Sequence, residues 1–513
     1  MHRSPSHVVL LALCCIYVIM LARWGYEYGR GDQMQIISYS MYMNDQSLFS
    51  VDPYVQGIAE KVPNERYVFA KFMSLFNDKM EGASLVLHTI SGIFLLLLLF
   101  RIAREFIETD YLIWLGLLFL FVFMYGINLG GNELYYNTFF VSTPAKALGL
   151  WGIWYFLKSR YHIAFILFGI TCILQAVVGL QLFATCAAIL VLSKLTGRDR
   201  FDWMELGKWL SGFLMTGGIW IFFMKFFFED TASANIDFFS IFFEFRAPHH
   251  YVPDAFPLRN YLILIPLMLF GYIYYIFQNY KLAWFFLISF IGMGCYSIAF
   301  YGLRDVNLAT MQWFKLTIWL KPFALIAVIA WLEKKISWVS LESLQKLAYP
   351  VLLIAGFAVL SILIFARSLF FWPVPFDFGT QYSQDLRVEI CLQAKAKTPK
   401  NALFVYPIDF VELKVYGERS GFVDYKALSH RKVEMQGWYD RTVTLYGIDL
   451  STDRSVVPLF TQAHRNYQSL SADDFRRLAK ENGITHVLTW NDHLLDLEKI
   501  ASNLEWTIYR ISQ

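Results

Sequence analysis

Charge is scarce in this chain of 513 residues: Asp, Glu, Lys and Arg make up 17% of it, against about a quarter in a soluble protein. With 57% apolar and 18% aromatic residues beside so few charges, the chain reads as a membrane protein. An excess of one sign is missing as well. Lys and Arg total 44 and Asp and Glu 41, a formal net charge of +3, which removes the polybasic patch of a nucleic-acid binder and with it that class of partner. Paired cysteines are absent too. Of the six, Cys14, Cys15, Cys172, Cys186 and Cys295 fall inside apolar runs and only Cys391 outside, so no C-x-x-C ligand set and no disulfide framework can be built.

Long apolar runs are what the chain has in quantity. A spanning helix needs roughly 20 apolar residues, because it rises about 1.5 Å per residue through a hydrocarbon core about 30 Å thick. Eleven runs are candidates: about 8–25, 84–100, 111–128, 144–157, 162–174, 182–193, 209–228, 259–277, 282–300, 314–332 and 348–370, the fourth to sixth being short. Arg3 precedes the first run as in a signal peptide, but Leu21-Ala22-Arg23-Trp24-Gly25 offers no small-x-small cleavage site, so an uncleaved anchor is expected. With the N-terminus cytoplasmic, the inner loops (101–110, 158–162, 194–208, 278–281, 333–346) hold twelve Lys or Arg in 48 residues. The short outer loops (129–143, 175–181, 229–258, 301–313) hold two, Arg246 and Arg304, in 65. That asymmetry is the positive-inside pattern of a plasma or inner membrane protein, and eleven crossings then put the C-terminal segment outside the cytoplasm.

Two polar stretches are more than loops. In 26–83, the pieces Ile36 to Met43 and Tyr67 to Phe76 are apolar on one side and read as short helices lying in the interface plane. In 383–513, the segments 402–406, 421–424, 484–488 and 506–509 read as strands and 385–396, 431–444, 471–482 and 493–502 as helices. Ser471 with Asp473 and Asp474 opens one of those helices and Gly483 closes it. Such alternation predicts a small α/β domain with a partly parallel sheet. No Gly-rich phosphate loop or nucleophile elbow occurs in it. The predicted division is 1–382 as a transmembrane domain that includes the outer loop 26–83, and 383–513 as an outer domain.

One anchor, a long outer loop with an acidic residue soon after it, a polytopic bundle and an outer α/β domain together resemble the GT-C superfamily, integral-membrane glycosyltransferases that use polyprenyl-phosphate sugars. The residues that carry the resemblance are Tyr26-Glu27-Tyr28-Gly29-Arg30-Gly31-Asp32-Gln33, Glu133, Pro248-His249-His250-Tyr251 and Trp313-Phe314-Lys315. Glu418 to Lys426, Glu434 to Trp438 and Arg441 look like the outer domain of a bacterial GT-C-like branch. The resemblance implies about 11 transmembrane helices, a lipid-linked sugar donor and an extracytoplasmic acceptor that is a glycan, lipid or protein. Many members show an Asp-x-Asp or Glu-x-Asp pair where this chain has Gly31-Asp32-Gln33, with the next acids at Asp45 and Asp52. No cofactor is therefore fixed: a divalent metal stays open, with its ligands unassigned.

In an inverting transfer, a carboxylate takes the acceptor hydroxyl's proton, and Asp32 and Glu133 are the expected catalytic carboxylates. The plainer alternatives are a helix N-cap for Asp32 ahead of Met34 and a solvated loop acid for Glu133. Asp52-Pro53 reads as turn chemistry. A carrier phosphate needs cations at the outer leaflet, which singles out Arg304, Lys315 and Arg246, with Lys321 deeper in an apolar run where an ionisable group is expensive unless it has a partner. Snorkelling of Lys315 and pairing of Arg304 with Asp305 are the alternatives; Lys146 and Lys225 also lie within apolar runs, Lys225 as a snorkeller. His249 and His250, adjacent on a loop, suit sugar hydroxyls; as two imidazoles alone they make a weak metal set, and loop packing under the outer domain is the alternative. A non-catalytic GT-C-like scaffold or a transporter is the competing function, and the lack of an internal repeat counts against the transporter.

Overall fold

The computed structural model describes residues 4–227, 237–335, 347, 349–359, 385–453 and 455–512. The predicted domain boundary at 382/383, half of the last apolar run and parts of the loops 229–258 and 333–346 lie outside these residues. Among the described residues, seven helices are long and apolar enough to cross a membrane: Ser6–Trp24, Asn77–Ala103, Ala176–Leu195, Trp203–Phe226, Leu258–Gln278, Tyr280–Leu303 and Val306–Lys335. Of the remaining four predicted runs, Asp110–Phe123, Ser142–Leu157 and Tyr161–Leu174 are shorter helices, and the described part of the last, Tyr349–Val359, is helical. The chain is a mostly helical, multi-pass membrane protein with a small C-terminal sheet domain.

Two compact units emerge. The first comprises Met1–Tyr26, Leu85–Phe222 and His249–Phe376, and the second Glu27–Ser84, Phe223–Pro248 and Asp377–Gln513. By its contacts the stretch Glu27–Ser84 falls with the C-terminal segment, to which the buried ion pairs described below join it.

In the first unit, helix Tyr161–Leu174 packs on Ser142–Leu157, and Leu258–Gln278 on Thr317–Lys335. Small residues set the second approach: a Cβ on Gly271 would stand 2.9 Å from the Ala324 Cα, the close backbone contact that drives helix association in lipid. Trp319, Phe165 and Phe168 fill the interior, whereas Leu262, Ile273 and Phe277 face outward, as lipid-facing side chains do. Polar caps start the helices. Asp202 and Glu205 form a capping box at Trp203–Phe213, and Asn279 accepts from Leu282 N at 3.1 Å.

The second unit holds a five-stranded sheet, β1 (Leu403–Val405), β2 (Ser420–Gly421), β3 (His486–Trp490), β4 (Glu498–Ser502) and β5 (Trp506–Arg510), in the order β2-β1-β3-β5-β4. β1 pairs parallel with β2 and β3, and β5 antiparallel with β3 and β4. Helix Ala472–Asn482 begins at the Ser471–Asp474 capping box and ends at Gly483, φ +72°.

Three local expectations need correction. Residues 493–502, predicted helical, supply β4, because β5 offers an antiparallel partner and the strand's buried position is Ala501. Pairing of the 421–424 strand stops near Gly421. Helix Gln33–Asn44 is not an interfacial helix: Gln33 to Ser40 are all buried. Its hydroxyls tolerate burial because Ser38 and Ser40 donate to the carbonyls of Met34 and Ile36 at 2.6 and 2.8 Å. A further helix, Val456–Gln468, was not foreseen; Leu459, Ala463 and Tyr467 bury its inner face at intervals of four.

Candidate functional site

In the first unit, a polar knot forms around the turn Gly126–Glu133. Gly130 and Gly131 adopt φ +78° and +58°, conformations open to glycine, and their missing side chains let other chain segments close in. A Cβ on Gly130 would lie 3.0 Å from Lys315 N, and one on Gly131 2.5 Å from the His249 carbonyl oxygen and 2.8 Å from His250 Nδ1. His250 Nδ1 lies 3.1 Å from the Gly130 carbonyl, so that nitrogen carries the proton. Thr317 Oγ1 donates to the Leu129 carbonyl at 3.0 Å.

Glu133 is buried here, not solvated. Its Oε1 accepts from Gly126 N at 2.8 Å and Asn128 Nδ2 at 2.7 Å, and its Oε2 pairs with Lys321 Nζ at 2.9 Å. Lys321 also donates to the carbonyls of Met124 and Ile127, both at 3.0 Å. An ammonium has three donors, so Lys321 is saturated inside the protein. That removes it as a carrier-phosphate ligand, and it makes Glu133 the holder of the knot instead of a base open to substrate.

Lys146 is fully buried. It donates to Asn132 Oδ1 at 3.0 Å and to the Glu133 carbonyl, and lies 4.3 Å from the centre of the Tyr136 ring. All three are neutral acceptors. Lys315, half-buried, is close enough for its charge to act on Lys146. The knot thus brings Glu133, Lys321, Lys315, His249 and His250 together and adds Lys146 to them. Arg304 is exposed at the end of the helical turn Ala299–Leu303, with φ +49°, and Asp305 spends its carboxylate on Leu308 N at 2.8 Å. Lys225 is exposed on helix Ile219–Phe227, as a snorkelling side chain would be.

In the second unit, Asp32 is exposed and stands at the N-cap of Gln33–Asn44, but no side-chain cap bond forms; Gln35 Nε2 donates to it at 3.5 Å. Its turn is clamped. Tyr416 donates to the Tyr28 carbonyl at 2.6 Å, with its ring filling the space above Gly29. Arg30 pairs with Asp385 and, at 3.6 Å, with Glu412. Arg387 joins Glu412 at 3.5 Å and Asp409 at 2.7 Å, and His464 meets Asp409 at 2.8 Å. Burial raises the Glu412 carboxyl, whereas the His464 hydrogen bond and the Arg387 charge outweigh burial at Asp409 and hold it below the usual range. Arg246 donates to the Lys426 carbonyl at 2.8 Å and lies over the Tyr425 ring at 5.0 Å.

Asp52 proves to be a buried ligand. Its Oδ1 caps Val55 N at 2.9 Å, its Oδ2 accepts from Gly421 N at 3.0 Å, and Lys414 Nζ bridges it at 2.8 Å to Asp424, which also accepts from the Tyr406 hydroxyl. One signal was available for this: Lys414 is a lone cation between Leu413 and Val415. Among the described residues, no group of three His, Cys, Asp or Glu side chains is placed to hold a metal, so no step is derived through one.

Residues 387–445 match a sequence family described as a domain of unknown function, DUF6798. No curated protein sequence matches the chain. Among solved structures it is similar to the archaeal oligosaccharyltransferase AglB from Archaeoglobus fulgidus, in complex with an inhibitory peptide and a dolichol-phosphate. The TM-score there is 0.48 and the identity 9%, over 94% of this chain and 69% of that one. It is also similar to ArnT from Cupriavidus metallidurans bound to undecaprenyl phosphate, with TM-score 0.36 and 13% identity over 99% of this chain and 97% of that one.

Proposed function

We propose that the chain is a membrane glycosyltransferase of GT-C type, passing a sugar from a polyprenyl-phosphate carrier to an extracytoplasmic acceptor. The observation that supports this reading is the setting of Lys146: among the described residues Lys321 pairs with Glu133, and Lys146, buried beside them, donates to Asn132 and to the Glu133 carbonyl, both neutral. A buried ammonium bonded to neutral acceptors alone is expensive, and an arriving phosphate would offset that cost through charge-assisted bonds roughly twice as strong as neutral ones. Lys315, with Arg304, is assigned to the carrier phosphate, and His249 and His250 to sugar hydroxyls.

Asp32 is assigned as the base on the family resemblance and its exposure. It takes the acceptor hydroxyl's proton as that oxygen attacks the anomeric carbon. The carbon–oxygen bond to phosphate breaks, and polyprenyl phosphate leaves with the electron pair. The reading includes eleven crossings of the inner membrane, a cytoplasmic N-terminus and an extracytoplasmic C-terminal domain.

The purified, reconstituted protein should release polyprenyl phosphate from a polyprenyl-phosphate sugar. Lys315→Ala and Arg304→Ala should each weaken donor binding more than the chemical step, and Arg304→Lys should stay impaired because it loses bidentate geometry. Unchanged donor affinity when both are replaced by alanine would overturn the phosphate assignment.

A further inference from the structure

Within the second unit, the turn that carries Asp32 lies beside a lysine. Gly31 adopts φ +57°, and among the described residues a Cβ placed on it would meet the Lys426 ammonium, at 3.9 Å. Lys426 follows Tyr425, whose buried ring is fixed by donation to the Phe245 carbonyl at 3.1 Å, and its own carbonyl is held by Arg246 at 2.8 Å. The backbone from which the lysine projects is therefore anchored on both sides, and the side chain reaches the residue next to Asp32. The two charges do not neutralise each other. Among the described residues, Lys426 forms no ion pair, and the side chain of Asp32 is met by the neutral Gln35 at 3.5 Å. Asp32 is exposed and Lys426 half-buried, and the Lys426 ammonium stands at the residue that precedes Asp32.

We propose that Lys426 is an acceptor-binding residue, selecting acceptors that carry an anionic group, a carboxylate or a phosphate, beside the hydroxyl that Asp32 deprotonates. The inference rests on Asp32 as the base. A base must lie within hydrogen-bond reach of the hydroxyl it serves, so a cation one residue away faces the same molecule. The close approach of an acceptor to the main chain at Gly31 is what the absence of a side chain there permits.

The test uses the full-length protein in lipid nanodiscs, with glucuronate, glucose 6-phosphate and glucose as probes and binding read by calorimetry. At least one anionic probe should bind roughly tenfold more tightly than glucose, as expected of one charge-assisted contact, and the two anionic arms show which group is preferred. Lys426→Ala should abolish the preference and Lys426→Arg keep it. No preference in the wild type, or a preference that survives in Lys426→Ala, overturns the inference. Because binding is read without turnover, an enzyme that binds anionic probes through Lys426 but transfers no sugar would count against the proposed reaction and not against this site.

Discussion

Lys414 and Asp52, 362 positions apart in the chain, lie 2.8 Å from each other in the interior of the second unit. The pair ties the segment that carries Asp32 to the C-terminal domain, and Asp424 completes it on the far side of the ammonium. Lys414→Met leaves two buried carboxylates without their cation and should cost about 3–5 kcal/mol, read as a fall in unfolding midpoint of the detergent-solubilised protein. Burial already raises Asp424, and losing Lys414 raises it further. The variant should therefore regain stability as pH falls through that raised value; a deficit independent of pH would show that the cost is packing.

A double-mutant cycle on Glu133 and Lys321 should be strongly non-additive. Lys321→Met or Glu133→Gln alone strands one member of a buried pair, but the two together should cost less than the sum of the single changes. Additive losses would show that the two groups are not energetically coupled.

Glu65 is held down to about 2, because the hydrogen bond and charge of His430 and the charge of Arg66 outweigh the upward push of burial. In the unfolded chain it should titrate near ~4.3. A folded value below the unfolded one means that the unfolded state binds more protons between them, so the stabilisation present above the ordinary value is lost as pH falls toward about 2. His430→Gln should flatten the acid limb of the stability curve, and an unchanged limb contradicts the pairing.

Asp32→Asn keeps the shape of the side chain and removes the base. Transfer should fall by about 10²- to 10⁴-fold with insertion and unfolding midpoint unchanged. Wild-type turnover in the purified variant sinks the assignment.

The orientation can be read by thiol labelling. With Cys295→Ser, to remove an exposed native thiol, and Ser451→Cys added, a membrane-impermeant reagent should label intact cells from outside. Labelling only after permeabilisation would reverse the topology.

Apolar length made the membrane class legible, and local chemistry did the same for Ser471 and Gly483, where a cap is decided by neighbours in sequence. Asp52 was misread for the opposite reason: Asp52-Pro53 does start a helix, but what fixes its carboxylate is Lys414, which no local pattern connects to it. Glu133 and Lys321 were each singled out by position, yet only the fold reveals that they spend their charges on one another. Residues 493–502 misled because the edge strand they form exists only where β5 is already in place.

The sheet of the C-terminal domain ends on one side in β2, two residues long, and on the other in β4, which is irregular between Lys499 and Ala501 and exposes Glu498 and Lys499. A strand that short templates almost nothing, and a kinked rim bearing both charge signs resists pairing with another chain. The domain is thereby guarded against edge-to-edge aggregation, a hazard that rises when many copies of one protein are confined to a single plane.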